Sequence, residues 1–263
     1  MRCVAALLVA LPLAASAAEP RPLRHDLRVD AAVTGAAIAA WVGSELAKPL
    51  LAPTRCRVCE PNALDASARD ALVWRRVNPA RHASDALAFV LLPTGVAAHQ
   101  LLAARAGGDA GEGVVDVLIV AEAVALAADL DQVVKYAVGR ERPFVHFGHD
   151  AARPHDSDDD LSFYSGHATI AFSLAAAAGT VSDLRGYRGT PWVWAVGLGA
   201  ASVVGYLRIA ADRHYLTDVL TGAATGAAMG IAVPRLLHGR ERPSGRAAQA
   251  TVVPIPFGIA VVF

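Results

Sequence analysis

Residues 161–182 read LSFYSGHATIAFSLAAAAGTVS, 22 positions without Asp, Glu, Lys or Arg. Such a run is several times the length of an average strand and reaches the roughly 18 residues at which an apolar segment becomes a candidate bilayer span. It predicts a helix with Ser165-Gly166-His167 in its first turn. The pattern repeats on either side: uncharged stretches cover 31–44, 86–104, 189–207 and 219–234, counting His as neutral. The segment 114–138 is also helical in pattern but carries Asp116, Glu122, Asp129 and Asp131, which must face a protein interior or water because charge against lipid is expensive. Gly222, Gly226 and Gly230 recur every four residues, so they line one helix face and let a neighbouring helix approach closely. No alternating strand pattern competes until 251–263, an apolar tail with two prolines that reads as an edge strand or an ordered tail. The fold class predicted is all-α, a bundle of about five to six helices associated with a membrane. A soluble Ala-rich bundle is the rival, because the four carboxylates of 114–138 sit poorly in a span.

The rest of the chain fits that class. Of its 263 residues 54% are hydrophobic, 18% charged and 6% aromatic, which excludes a disordered chain, a collagen and a disulfide-rich miniprotein. The 24 Lys and Arg balance 24 Asp and Glu, so no overall charge draws the protein to nucleic acid and any anion site must be local. Residues 1–17 read as a secretory signal peptide: one Arg, an apolar run from Cys3 to Ala15, and the small-x-small triplet Ala15-Ser16-Ala17. Export follows from it, and Cys3 stands at the head of the apolar run, whereas the cysteine of a lipoprotein signal follows it. Residues 18–84 form an N-terminal helical and loop segment, 85–238 the core, and 239–263 a C-terminal tail. Cys56 and Cys59 are the remaining cysteines; zinc needs four ligands and there is no second pair, so in an oxidising compartment they read as a small loop disulfide. The loop 144–162 holds His146, His149, His155 and the run Asp156-Ser-Asp-Asp-Asp160, without a recognised metal spacing, and reads as solvated.

Chemistry concentrates in three places. Only two of the 24 basic residues are lysines, Lys48 and Lys135, and Lys135 is followed seven positions later by Arg142-Pro143. Ser165-Gly166-His167 comes next, then Arg208, His214 and Asp218. On a helix, His214 and Asp218 at i and i+4 share a face, so the carboxylate can accept the imidazole N–H and leave the other ring nitrogen to attack. Ser165 and Gly166 at a helix N-terminus offer a hydroxyl and unpaired N–H groups to an anion. Lys135, Arg142 and Arg208 supply three cations for the charge on a phosphoryl group, and His167 is left as a candidate general acid.

Taken together, Lys135-x6-Arg142-Pro143, Ser165-Gly166-His167 and Arg208-x5-His214-x3-Asp218 resemble the three-part signature of the superfamily of type 2 phosphatidic acid phosphatases and vanadium haloperoxidases. The resemblance spans 135–218. It implies an all-helical core and metal-independent hydrolysis of phosphate esters, without a cofactor, through a phosphohistidine. It makes His214 the nucleophile, Asp218 its orienter and His167 the acid. Lys135, Arg142, Ser165, Gly166 and Arg208 become the phosphate clamp. Tyr164 and Leu207 depart from the pattern, standing where the family usually has Pro and Ser.

The pentapeptide Gly-Arg-Glu-Arg-Pro occurs twice, at Gly139 and Gly239, and the second copy is followed by Ser244-Gly245-Arg246. No His/Asp pair follows it, so it reads as a polar helix end without a catalytic role. If 31–44, short of about 20 residues, does not cross a membrane, two crossings return Lys135 and Arg142 to the exported face, where all three elements meet. The function expected is an exported phosphatase at the inner membrane, with its active site facing the periplasm, acting on a phosphorylated lipid or a small phosphate ester. A soluble periplasmic acid phosphatase, a vanadate-dependent haloperoxidase and a non-catalytic phosphate- or lipid-binding protein are the alternatives.

Overall fold

The structure, a computed structural model, describes residues 20–148 and 154–241 together with the backbone of 251–255 and 258–262. The signal-peptide reading at 1–17, His149, and the stretch from Arg242 through Arg246 lie outside the described residues. The helices are α1 (Leu27–Leu46), α2 (Lys48–Leu51), α3 (Ala63–Leu72), α4 (Val77–Ala86), α5 (Leu92–Ala106), α6 (Ala110–Val138), α7 (Pro143–His146), α8 (Gly166–Arg185), α9 (Thr190–Ala210) and α10 (Leu216–Leu236). A π-helical turn, Leu87–Leu91, joins α4 to α5 as one rod. The tail forms an antiparallel hairpin, β1 (Thr251–Ile255) with β2 (Gly258–Val262), pairing Thr251 with Val262. The core of the chain is the expected all-α bundle.

The helix expected to begin with Ser165-Gly166-His167 does begin at Gly166, and residues 161–164 of the uncharged stretch are loop. Ser165 is extended, and its hydroxyl accepts from the Ala168 N–H as the N-cap. This helix is the axis of the bundle. Its Ala, Ser and Thr side chains are buried almost throughout, against α10, α9, α6 and α5. The glycine stripe of α10 explains the closest approach: a Cβ on Gly222 or Gly230 would stand 2.6 Å from the carbonyl oxygen of Ser165 or Ser173. Three helices are long and apolar enough to cross a membrane, Val77–Ala106, Thr190–Ala210 and Leu216–Leu236. They turn Leu91, Trp192, Val196, Val203 and Leu220 outward, a surface suited to lipid. Membrane integration is therefore built into the outer helices, with α8 shielded among them.

One expectation is kept and one is corrected. Helix α1 is not among the three helices apolar enough to cross, in line with the short uncharged segment 31–44 bounded by Asp30 and Glu45. Both lie inside α1, whose 20 residues span roughly 30 Å, and both have partners at its ends: Asp30 accepts from the Asp26 N–H at 3.0 Å and Glu45 pairs with Lys48 at 2.6 Å. Helix α1 thus runs the length of the bundle beside α6. The loop after α7, by contrast, is not simply solvated, since Asp159 and Asp160 are each 2% exposed. Of the four carboxylates of 114–138, Asp116, Glu122 and Asp131 face inward as expected, and Asp129 is half-buried. Asp116 binds Arg185 at 2.7 Å, Asp131 binds Lys135 at 2.6 Å, and Glu122 meets His238 at 3.1 Å.

Candidate active site

At one end of the bundle the last turns of α1, α6 and α9, the first turn of α8, the loop before α10, and α4 surround a cavity of about 310 Å³. Lys135, Arg142, Gly166, His167, Arg208 and His214 all line it. Residues scattered over 80 positions in sequence meet there because α6 and α9 arrive at this end while α8 and α10 leave from it.

His214 is buried in the loop between α9 and α10, and burial, reinforced by Arg142, pushes its pKa well below the usual imidazole value. A neutral ring has one N–H. Nδ1 lies 2.8 Å from the Ser162 carbonyl, which can only accept, so Nδ1 carries the hydrogen. Nε2 is then a bare lone pair, 3.1 Å from Arg142 Nη1 and facing the cavity. This is the tautomer a nitrogen nucleophile needs, but the orienting group is not the one expected. Asp218 Oδ2 stands 3.7 Å from Nδ1 and makes no hydrogen bond to it. The expected i, i+4 pairing fails because α10 starts only at Leu216. Asp218 is the third residue of that helix and its carboxylate reaches back to the Tyr215 N–H at 2.9 Å. It also accepts from Ser162 Oγ at 2.6 Å and from Arg140 Nη1 at 2.6 Å. Asp218 therefore holds Ser162, and Ser162 holds His214.

Each cation of the clamp has its own carboxylate. Lys135 donates to Asp131 at 2.6 Å, Arg142 to Asp158 at 2.9 Å, and Arg208 to Asp85 at 3.3 Å. Burial alone would raise the Asp158 carboxyl, but Arg142 and Lys48 hold it well below the usual carboxylate range. Burial and the neighbouring Arg142 pull Arg213, also on the cavity wall, down to about 10. His167 Nε2 lies 2.7 Å from the same Asp85 oxygen that touches Arg208, with Phe89 packed edge-on to the imidazole. A Cβ on Gly166 would stand 2.8 Å from both Asp131 Oδ2 and Lys135 Nζ, so only glycine lets α8 start against this ion pair. Ser165 departs from its expected place: buried and committed to capping α8, it does not line the cavity. Leu207 packs with Ala80, Ala210 and Ala211 instead of facing the pocket.

Sequence reasoning missed Asp85, Asp158, Ser162 and Arg140. Lys48, half of the lysine content, was the one visible signal; its ammonium lies 3.1 Å from Asp158. Asp158 sat in a run of acids that reads as solvent-facing, and Asp85 comes from a stretch with no motif. Cys56 and Cys59 are joined as expected, close to this end, where Val58 forms a bridge with Arg140. The wall of the cavity is cationic, His214 is neutral, and Trp41, Phe89 and Ile170 leave the cavity an apolar side. Such a pocket can take a tetrahedral oxyanion with an apolar substituent.

The family model of the PAP2 superfamily matches residues 116–242. A lipid A 1-phosphatase of Porphyromonas gingivalis is 33% identical over 107 residues, which cover 41% of this chain and 20% of that protein. The matched stretch is thus a fifth of that relative's length. A transmembrane phosphatidylglycerolphosphate phosphatase of PAP2 type from Bacillus subtilis is 20% identical, with a TM-score of 0.46 over 74% of this chain and 94% of that one.

Proposed function

We infer that this chain, which belongs to the PAP2 superfamily, is a membrane-integrated phosphatase that hydrolyses a phosphate ester of a lipid through a phosphohistidine, without a metal in the chemical step. The observation that carries the reading is the Nε2 lone pair of a neutral, buried His214 facing a cavity whose other wall holds Lys135, Arg142 and Arg208. The phosphoryl oxygens replace the carboxylates as partners of these cations, and the free N–H groups in the first turn of α8 add to the clamp. Nε2 attacks phosphorus in line. The N–P bond forms as the ester P–O bond breaks, and His167 gives its proton to the leaving oxygen; burial and the Arg208 charge pull its pKa down to about 4 in the free site, so it enters as an imidazolium only when the bound phosphate offsets those cations, with Asp85 as its partner. Water then attacks the phosphohistidine, His167 takes the water proton, and phosphate leaves with His214 restored. The names of the two relatives, a lipid A 1-phosphatase and a phosphatidylglycerolphosphate phosphatase, favour an amphiphilic substrate, as do the outward apolar helices.

The catalytic end faces the oxidising side of the membrane, the periplasm in a bacterial cell, because the Cys56–Cys59 disulfide lies at that end. As α1 runs the bundle's length, residue 20 stands at the opposite end. A signal cleaved after 17 and a catalytic end on the exported side therefore cannot both hold if α1 crosses with its neighbours. N-terminal sequencing of the membrane-inserted protein decides between them. The activity test is phosphate release from phosphatidic acid in mixed micelles and from an aryl phosphate, with EDTA present, for wild type and His214→Ala. Turnover in EDTA that falls by more than about 10³-fold in the variant is expected. Binding without turnover in the wild type, or activity abolished by a brief exposure to EDTA, overturns the reading.

A further inference from the structure

Beyond the clamp of Lys135, Arg142 and Arg208, three further cations line the same cavity: Lys48, Arg81 and Arg213. The four carboxylates on its wall are taken by the clamp and by Lys48, whose ammonium lies 2.6 Å from Glu45. Two guanidinium groups are left over. Arg213 has only a share in Asp158: its Nη2 lies 3.1 Å from Oδ2, the oxygen that Arg142 Nη2 already holds at 2.9 Å. Its Nε is buried without a hydrogen-bond partner among the described residues, and the Phe144 ring backs the group, with the centroid 4.5 Å away. Arg81 stands exposed at the rim, on α4, and its side chain makes no hydrogen bond or ion pair among the described residues. Burial and Arg142 lower the Arg213 pKa, and the Arg81 charge adds to the pull, so the two surplus cations act on each other. Asp85, one turn after Arg81 on the same face of α4, already holds Arg208 and His167.

We propose that Arg81 and Arg213 bind a second phosphate group joined to the one transferred, so that the preferred substrate is a lipid diphosphate. The inference rests on the phosphatase reading and adds to it the class of headgroup. Asp158 Oδ2 marks a place where one anionic oxygen touches Arg142 of the clamp and Arg213 beyond it, so the two Nη2 atoms are at most about 6 Å apart. Two phosphates that share a bridging oxygen present neighbouring anionic oxygens on that scale, and guanidinium forks suit them. The terminal phosphate takes the clamp. The inner one lies on the leaving-group side, where Arg81 stands one turn from the carboxylate that holds His167. His214 Nε2 then attacks the terminal phosphorus and the bridging P–O bond breaks. Its electron pair stays on the inner phosphate, which takes the His167 proton and departs as the lipid monophosphate. A monophosphate ester fills the clamp alone and leaves Arg81 and Arg213 without an anion.

The test uses the full chain in detergent and two substrates with the same alkyl chain, dodecyl phosphate and dodecyl diphosphate. For release of the first phosphate, kcat/KM should be at least about 10-fold higher for the diphosphate, the effect of a charged hydrogen bond or two. In Arg81→Gln the ratio should fall below about 3, through KM of the diphosphate, and Arg81→Lys should restore most of it. Arg213→Gln should lower the ratio likewise; should that variant fail to fold, the exposed Arg81 carries the test. Calorimetry with methylenediphosphonate and methylphosphonate, which are not hydrolysed, should show the same preference in binding and the same loss in Arg81→Gln. That binding result with neither dodecyl compound turned over would support the subsite while the phosphatase reading fails. Equal kcat/KM for the two substrates, or without turnover equal binding of the two phosphonates, overturns the proposal. So does a diphosphate preference that survives both Arg81→Gln and Arg213→Gln.

Discussion

The pentapeptide Gly-Arg-Glu-Arg-Pro stands at both ends of the bundle, once after α6 and once after α10, and the two copies have different fates. In each, the glycine follows a helix and the first arginine forms an isolated backbone bridge, Arg140 with Val58 and Arg240 with Leu23. Beyond that the surroundings decide. Arg140 is buried between Asp65 of α3 and Asp218 of α10, donating to each at 2.6 Å, with its guanidinium 4.2 Å from the Tyr215 ring centroid. Arg240 is exposed and donates to the Leu184 and Asp183 carbonyls at the end of α8, 3.0 Å each. One arginine organises a buried charge network behind His214; the other caps a helix C-terminus in contact with water. Identical sequence acquires a connection to the cavity only where another element delivers carboxylates to it.

The sharpest break of this comparison is Arg140→Ala against Arg240→Ala. Removing Arg140 strands two buried carboxylates and should cost about 3–5 kcal/mol of stability, whereas the exposed Arg240 should cost at most about 1 kcal/mol. Thermal unfolding in detergent measures both, and equal losses would sink the distinction. Asp65→Asn, which keeps the shape but removes one of the two charges on Arg140, should cost about 1–3 kcal/mol. Its effect should be largely absent when Arg140 is already replaced, a non-additivity that a double-mutant cycle reads directly.

The catalytic end also carries a pH signature. His214 and Asp158 both have folded-state pKa values below their unfolded ones, so each contributes stability that is present above its unfolded value and lost as pH falls. Unfolding midpoints should therefore decline from about pH 6.5 downward as the unfolded histidine takes up protons, and again below about pH 4 as the carboxylate does. Asp158→Asn should flatten the lower step, and a midpoint that rises on acidification contradicts the neutral His214. A smaller effect than at Arg140 is expected at the glycine of the first copy. Gly139 has φ +60°, so Gly139→Ala should cost about 1–2 kcal/mol and Gly139→Asn less, because Asn tolerates the left-handed region. Thermal midpoints that rank the two variants in the reverse order would show that the space around Pro53 matters more than the backbone.

Much of the molecule is legible in one dimension. The long uncharged runs mark the helices because a strand cannot use so many consecutive apolar residues, and the glycines of α10 announce close packing because only a missing Cβ admits the α8 backbone. Lys135, Arg142, Gly166, His167, Arg208 and His214 can be picked out from their spacing, and the fold brings all six to one cavity. What could not be picked out has a common character. Asp85, Asp158 and Ser162 act as partners in a contact, and nothing in their own neighbourhoods distinguishes them from a solvent-facing acid or a loop serine. The misread pairing of His214 with Asp218 has the same origin, since the spacing of four residues has meaning only inside a helix and the helix begins two residues too late.

Helix-forming stretches, their apolar faces and the cationic and imidazole groups of a phosphate-type site follow from the sequence alone, because local periodicity and side-chain chemistry are properties of the chain itself. The tautomer of His214, the carboxylate given to each clamp cation, the run of α1 along the whole bundle and the different fates of Arg140 and Arg240 were decided by tertiary structure. Each depends on which groups from distant elements share a buried space, where an unmatched charge or an unmade hydrogen bond costs more than the local chain can recover.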